Sequence, residues 1–116
     1  AGQVPGWELR RFERDLLAAL GYALDLSCDA DSGMALEPEA RYRVDPESGP
    51  RRMPSQALAG TISGAALIAL ATDDMPDAEA LRELRRLMRG VLLHHLGGRE
   101  LRSWQVLGDL AAARRN

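Results

Sequence analysis

Lysine is missing from this chain: all 15 basic residues are arginine. Every cation it can offer is therefore a planar, forked, permanently charged donor, matched to carboxylates and phosphates. Cysteine occurs once, at Cys28, which excludes an intrachain disulfide and a multi-cysteine zinc site. Aromatic residues make up only 4%, so the core must be built from Leu, Ala, Ile and Val, a mixture that suits helices better than sheets. No window holds the roughly 18 apolar residues of a membrane span, and no charged-then-apolar leader opens the chain. A cytoplasmic protein is the expectation. Neither a glycine-rich phosphate loop nor a Gly-x-Ser-x-Gly elbow occurs, and an enzyme is not expected. With 116 residues, one domain with one core is expected over residues 1–116.

The net charge of −2 hides an asymmetry. Between Asp25 and Pro50 stand seven acids against Arg41 and Arg43, a net of −5. Between Arg82 and Asn116 stand eight arginines against Glu83, Glu100 and Asp109, a net of +5. A basic face on a mildly acidic protein points to an acidic peptide or a nucleic acid as partner, with a solvated helix face as the simpler reading.

Leu9, Phe12, Leu16, Leu17 and Leu20 recur at helical spacing and predict a first helix over 7–20, stopped by Gly21. Arg10, Arg11 and Arg14 lie on or beside its polar flank. Periodicity is lost from Asp25 to Pro54, where Arg41-Tyr42-Arg43-Val44 alternates and then meets Asp45-Pro46-Glu47-Ser48-Gly49. That pattern predicts a short strand entering a turn, as in a small hairpin packed on helices. Ser63 is the expected N-cap of a short helix to about Ala71. The longest helix is predicted over 77–96, burying Leu81, Leu84, Met88, Val91, Leu92 and His95. Gly97-Gly98 should end it, and Ser103 should cap a last helix to about Ala113. The expected fold is mainly α: a small helical domain with a short β-hairpin insertion.

Cys28 as a nucleophile needs a base and an orienting group, and no motif links it to His94 or His95; a half-buried structural thiol is the simpler reading. His94 and His95 are neighbours about 100° apart on a helix and do not readily share one metal ion. One of them should pack inward while the other caps carbonyls. Asp29-Ala30-Asp31-Ser32-Gly33 is only a fragment of a calcium loop. No metal and no cofactor is expected. What remains is arginine. Arg10, Arg11 and Arg14 ride the first helix, and Arg82, Arg85, Arg86, Arg89, Arg99 and Arg102 surround the last two. An apolar groove with an arginine rim suits an extended acidic peptide with a hydrophobic end. The same side chains suit phosphates held without sequence reading.

Several of these segments together carry a resemblance. Arg10-Arg11-Phe12-Glu13, Leu16-Leu17 and Leu20-Gly21-Tyr22 come first. Cys28 to Gly33 and the Tyr42-Arg43 strand with its turn follow. Last is Asp77-Ala78 through Leu96-Gly97-Gly98-Arg99-Glu100-Leu101-Arg102-Ser103, with Leu107 beyond. In that order they resemble the C-terminal region of the RecO family of bacterial recombination mediators. The resemblance implies a non-enzymatic role in DNA repair. It further implies docking of the acidic, Phe-ended tail of single-stranded DNA-binding protein, support of RecR in loading RecA, and auxiliary contact with DNA. It reads 25–54 as a hairpin in a degenerate zinc-finger segment, since only Cys28 remains of the zinc cysteines, and the family's OB-fold is absent from this chain. Carried onto this sequence, Arg10 would hold the tail's carboxylate with Arg11 or Arg14 assisting, and Leu9 and Leu17 would form the pocket for the terminal Phe. Arg85, Arg89, Arg99 and Arg102 would contact DNA phosphates. An exposed apolar flank on the first helix would permit a homo-oligomer. The alternative, from another class, is an arginine-rich domain that binds nucleic-acid phosphates directly.

Overall fold

A computed structural model describes the backbone of residues 6–114 and the side chains of residues 6–97. The elements in chain order are α1 (Trp7–Ala19), β1 (Arg41–Asp45), β2 (Gly49–Met53), β3 (Ile62–Ser63), α2 (Gly64–Thr72) and α3 (Ala78–Arg114).

Helix α1 begins and ends where its apolar spacing predicts. Its exit is a Schellman turn: Gly21 takes φ 90, its N–H donates to Ala18 O, and the Tyr22 N–H reaches back to Leu17 O at 2.7 Å. The face it buries is not the predicted stripe alone. Trp7, Arg10 and Leu17 are buried, Phe12 and Leu16 pack partly against the core, and Leu20 is exposed. Two arginines, Arg10 and Arg14, thus fall on the line between Trp7 and Leu17 at helical spacing, so Arg10 belongs to the inner face and not to the polar flank.

The predicted hairpin forms, with Arg41 opposite Met53 and Asp45 opposite Gly49. Its turn is organised by Asp45, whose Oδ1 accepts the N–H groups of Glu47 and Ser48. A third strand corrects the expected fold class. β3 pairs antiparallel with β1, giving a sheet in the order β2-β1-β3. The fold is three helices with a small three-stranded antiparallel sheet, mixed α and β, where a helical domain with only a hairpin was expected. The reason is that β3 is two residues long. Backbone pairing to β1 defines it, and two residues carry no periodicity.

Ser63 caps α2 as expected, its Oγ accepting the Ala66 N–H at 3.2 Å. The helix lies directly on the loop before β1: the Gly64 N–H donates to Ala40 O and the Ala65 N–H to Pro38 O. The approach leaves no room for a side chain, since a Cβ on Gly64 would stand 1.8 Å from Glu37 O. The core gathers Tyr42, Ile62, Ala66, Leu67 and Leu70 with Leu81, Leu84, Met88, Val91 and Leu92 of α3. Asp77 opens α3 by accepting the Ala80 N–H. His95, expected on the buried side, is half-buried.

Helical backbone runs on through Arg114, interrupted only at Gly97 (φ 74, ψ 177). Gly97 breaks the helix where the double glycine predicts, but helix resumes immediately after it. Ser103 lies inside that stretch and does not begin it. The expected packing of Trp104, Val106, Leu107 and Leu110 lies outside the described side chains. Among the described residues no helix is long and apolar enough to cross a membrane.

Candidate partner-binding site

Two carboxylates inside the fold have all their work within it. Glu83 is buried and accepts from Arg41 Nη2 at 2.8 Å, from Ser63 Oγ at 2.9 Å and from the Ser63 N–H at 3.3 Å, tying β1, β3 and the start of α2 to α3. Asp29 is 8% exposed. It accepts from Ser32 Oγ and from the N–H groups of Asp31, Ser32 and Arg52. Above all the Ser32 hydroxyl, then the Arg52 amide, hold its pKa below the ordinary carboxylate value against the pull of burial. A single carboxylate thus organises the 29–33 turn and fastens it to β2. Cys28 beside it is half-buried, bridges to Ala35 through the backbone, and donates its thiol to Asp25 Oδ2 at 3.8 Å. Among the described residues no group of three or more potential ligands is placed to hold a metal ion.

The three arginines of α1 stand in different surroundings. Arg10 is buried, its Nε 2.6 Å from Glu13 Oε1. Burial raises the Glu13 pKa above its ordinary value, although the neighbouring charge of Arg10 and the hydrogen bond it donates oppose the rise. Arg10 thus pairs through its Nε with an internal acid. Arg14 lies on the same helix face but opens to solvent. Its Nη1 donates to Leu70 O at 2.6 Å and to the Asp73 carboxylate, and its Nε donates to Asp15 at 2.9 Å. Burial works against its charge, yet the bonds to Asp73 and Asp15 prevail and raise its pKa above the ordinary value. Arg11 completes the group: its Nε is 3.4 Å from Asp73 Oδ1 and is buried without a hydrogen-bond acceptor. Asp73, paired chiefly with Arg14, is held below the ordinary aspartate pKa.

Beneath Arg14 lies a small apolar pocket lined by Arg14, Leu17, Leu24, Leu26, Leu70 and Met88. Its cavity volume is about 20 Å3, room for roughly one water molecule. Admitting an aromatic ring would require Leu24 and Leu26, on the irregular segment after α1, to move outward. Of the residues singled out from sequence, Arg14 and Leu17 meet at this pocket, and Arg11 and Arg14 meet at Asp73. Arg10 is turned to Glu13, and Leu9 is half-buried outside the pocket lining.

Leu24, Leu26 and Asp73 were not singled out from sequence as site residues, and Leu70 and Met88 were read only as apolar helix positions. One signal was available for Asp73. An acid following the apolar run Gly64–Thr72 meets the negative end of a helix dipole, which calls for a cation from elsewhere.

Exposed arginines also stand on the hairpin (Arg43, Arg51 and Arg52) and on α3. Arg85 and Arg89 are exposed, and Arg85 contributes to the field at Glu13. Arg99 and Arg102 lie outside the described side chains. The histidines do not cap their own helix: His94 Nε2 bonds Glu47 Oε2 and His95 Nε2 bonds Pro46 O, both at 3.1 Å, while the His95 ring stacks on Tyr22. This pins the hairpin turn and the exit of α1 to the end of the first helical stretch of α3.

The chain is similar to known proteins along most of its length. Residues 1–105 match the model of the family described as "Recombination protein O C terminal". The chain is 58% identical over 119 residues to the DNA repair protein RecO of Xanthomonas euvesicatoria pv. vesicatoria (strain 85-10), covering 98% of this chain and 49% of that protein. It is 47% identical to the RecO of Stenotrophomonas maltophilia (strain R551-3), covering 93% of this chain and 46% of the relative. The figure for the RecO of Xylella fastidiosa (strain M12) is 49%, over 87% of this chain and 43% of the relative. The chain spans about half the length of these relatives. A match over residues 1–105 together with these identities places this chain in the family of RecO C-terminal regions.

Proposed function

We propose that this chain is a non-enzymatic docking module of a RecO-type DNA repair protein, acting in the cytoplasm. On this reading it binds the acidic, Phe-ended C-terminal tail of single-stranded DNA-binding protein and so supports RecR- and RecA-dependent repair. The observation that carries the reading is the coincidence of two chemistries at one point. Arg14 roofs an apolar pocket and at the same time holds a carboxylate. A peptide that ends in an aromatic residue carries the complementary pair, a terminal carboxylate and a ring, at adjacent atoms. Arg14 and Arg11 take the carboxylate, and Leu24 and Leu26 move aside so that the ring packs on Leu17 and Met88. Arg10 acts behind them by keeping Glu13 paired, and Leu9 flanks the helix on the approach.

The tail enters as an acidic strand, and the exposed Arg85 and Arg89 of α3 with Arg99 and Arg102 beyond lie on the basic part of the chain that would also meet DNA phosphates as an auxiliary contact. Fluorescence anisotropy of a labelled acidic peptide ending in Phe tests the reading. Saturable binding is expected, lost when the terminal Phe is removed and lost in Arg14→Ala. A peptide bound equally with and without its Phe would overturn it. Salt separates the nucleic-acid alternative: phosphate binding falls linearly in a log–log plot, whereas docking that buries a ring keeps part of its affinity at high salt.

A further inference from the structure

Asp73 is placed against its own local preferences. It is the only non-glycine residue with positive φ among the described residues, at φ 61 and ψ 29. That is the left-handed position after a helix, where Gly or Asn is favoured, and an acid there also faces the negative end of the dipole of α2. The side chain is half exposed, so burial does not explain it. What it does is reach across to α1 and occupy Arg14 and Arg11 together. Arg14 and Leu70, whose carbonyl shares the same guanidinium, both line the apolar pocket. Arg11 Nε, buried beside it, keeps a donor without an acceptor.

We infer that Asp73 is a built-in competitor for the pocket's ligand: it stands on Arg11 and Arg14 in the place of an incoming carboxylate and must be displaced for that carboxylate to bind. The inference rests on the docking reading for the identity of the natural ligand, but its chemistry is general to any carboxylate next to an apolar group. Several features make the exchange feasible. The clamp is partly accessible, with Arg14 24%, Arg11 39% and Asp73 50% exposed, so water screens part of the attraction between them. The displaced Asp73 returns to solvent, where its charge is at no disadvantage. The incoming group gains a terminal carboxylate with two oxygens. One replaces Asp73 on Arg14, and the other meets the buried, unpaired Nε–H of Arg11 that Asp73 vacates. Asp73 also keeps the two arginines from repelling each other while the site is empty. The device therefore sets a threshold: a carboxylate with no apolar group beside it fails to displace Asp73, and one that also fills the apolar pocket succeeds.

The test compares wild type with Asp73→Asn and Asp73→Gly, both of which retain the left-handed cap and are expected to fold, as checked by circular dichroism. The probes are N-acetyl-phenylalanine, its uncharged amide, and the acidic Phe-ended peptide, followed by shifts of the Arg11 and Arg14 Nε–H signals in NMR. Both variants are expected to bind N-acetyl-phenylalanine on the order of tenfold more tightly than wild type, with the amide unaffected. Equal affinities in all three proteins, an equal gain for the amide, or no binding to any of them would overturn the inference. If N-acetyl-phenylalanine shows the gain and the acidic peptide does not bind, competition by Asp73 stands and the tail-docking reading fails. If the peptide binds wild type and both variants alike, docking stands and the competition fails.

Discussion

The 25–63 segment and the arginine face of α1 both depend on charged side chains, yet they use them in opposite ways. Around the hairpin the buried carboxylates are saturated: Glu83 and Asp29 each accept from three or more donors of their own fold. On α1 they are left partly open: Arg14 and Arg11 share one half-exposed acid, and an Nε donor of Arg11 has no acceptor. Saturation marks groups whose work is to hold elements together, because removing one strands its partners away from water. Openness marks groups whose partner can be exchanged. Arg10 belongs with the first kind despite its position beside the second, since burial and Glu13 commit it. If the contrast is right, damage to the hairpin region destabilises the chain without a binding signature of its own, and damage to the α1 face does the reverse.

The largest effect is expected at the hairpin side. In Gly64→Ala the new Cβ would collide with the backbone of Glu37, 1.8 Å from its oxygen. Neither the loop before β1 nor α2 can retreat without breaking the bonds from Gly64 and Ala65 to Ala40 and Pro38. A loss of roughly 3 kcal/mol or more is expected, read as a fall in the urea midpoint. Glu83→Ala comes next. It strips the acceptor from Arg41 and from Ser63, where cap and strand meet, and should cost about 3 kcal/mol. Peptide affinity of the fraction that remains folded should be unchanged, and a selective loss of binding in either variant would break the contrast.

The pH profile sharpens it. Asp25, Asp29 and Asp45 all sit below their ordinary pKa, each through hydrogen bonds from neighbouring hydroxyl or backbone groups: Ser27 for Asp25, Ser32 for Asp29 and the Ser48 amide for Asp45. A carboxylate depressed in the folded state binds fewer protons there than in the unfolded chain. Its stabilisation is complete above the unfolded value near pH 4 and is lost as pH falls through the folded value. Glu13 has the opposite sign. Burial raises it, so its ionised form is a cost at neutral pH that is relieved as acid protonates it. Wild type should therefore lose stability below about pH 4, and Asp29→Asn should be less stable at pH 7 with a flatter acid limb. Urea midpoints between the two pH values decide it; parallel curves would mean that Asp29 does not organise its turn.

Much of this architecture was legible along the chain because its signals are local. Trp7–Ala19 follows from apolar spacing and the stop at Gly21, the hairpin from alternation and the Asp45 turn, and α2 from its Ser63 cap. The buried face of α3 follows from Leu81, Leu84, Met88, Val91 and Leu92. What was not legible depends on distant partners. β3 exists only as the neighbour of β1. Arg10 reads as polar until Glu13 and the packing of Trp7 and Leu17 turn it inward. The arginine-rimmed pocket could be anticipated as a chemistry, but not as a place. Leu24 and Leu26, Leu70, and Met88 come from three parts of the chain, and the acid that closes on Arg14 lies 59 residues away.

The smallest stability change, and the most telling comparison, is between Arg14 and Arg10. Arg14→Ala removes a guanidinium that is 24% exposed, whose bonds to Asp73 and Asp15 are partly screened by water, and it takes one donor from the carbonyl of the buried Leu70. A loss of about 1–2 kcal/mol is expected, together with loss of the acidic Phe-ended peptide. Arg10→Ala leaves Glu13 largely buried without its cation, so it should cost more stability, about 3 kcal/mol. Peptide binding should then recover when Glu13 is also changed to Gln, which removes the stranded charge. Arg14→Ala has no such rescue, because the missing group is the one that meets the ligand. Were the pattern inverted, with Arg10→Ala, Glu13→Gln folded but unable to bind and Arg14→Ala binding normally, the carboxylate would belong to Arg10, and the open face of α1 would have to be redrawn around it.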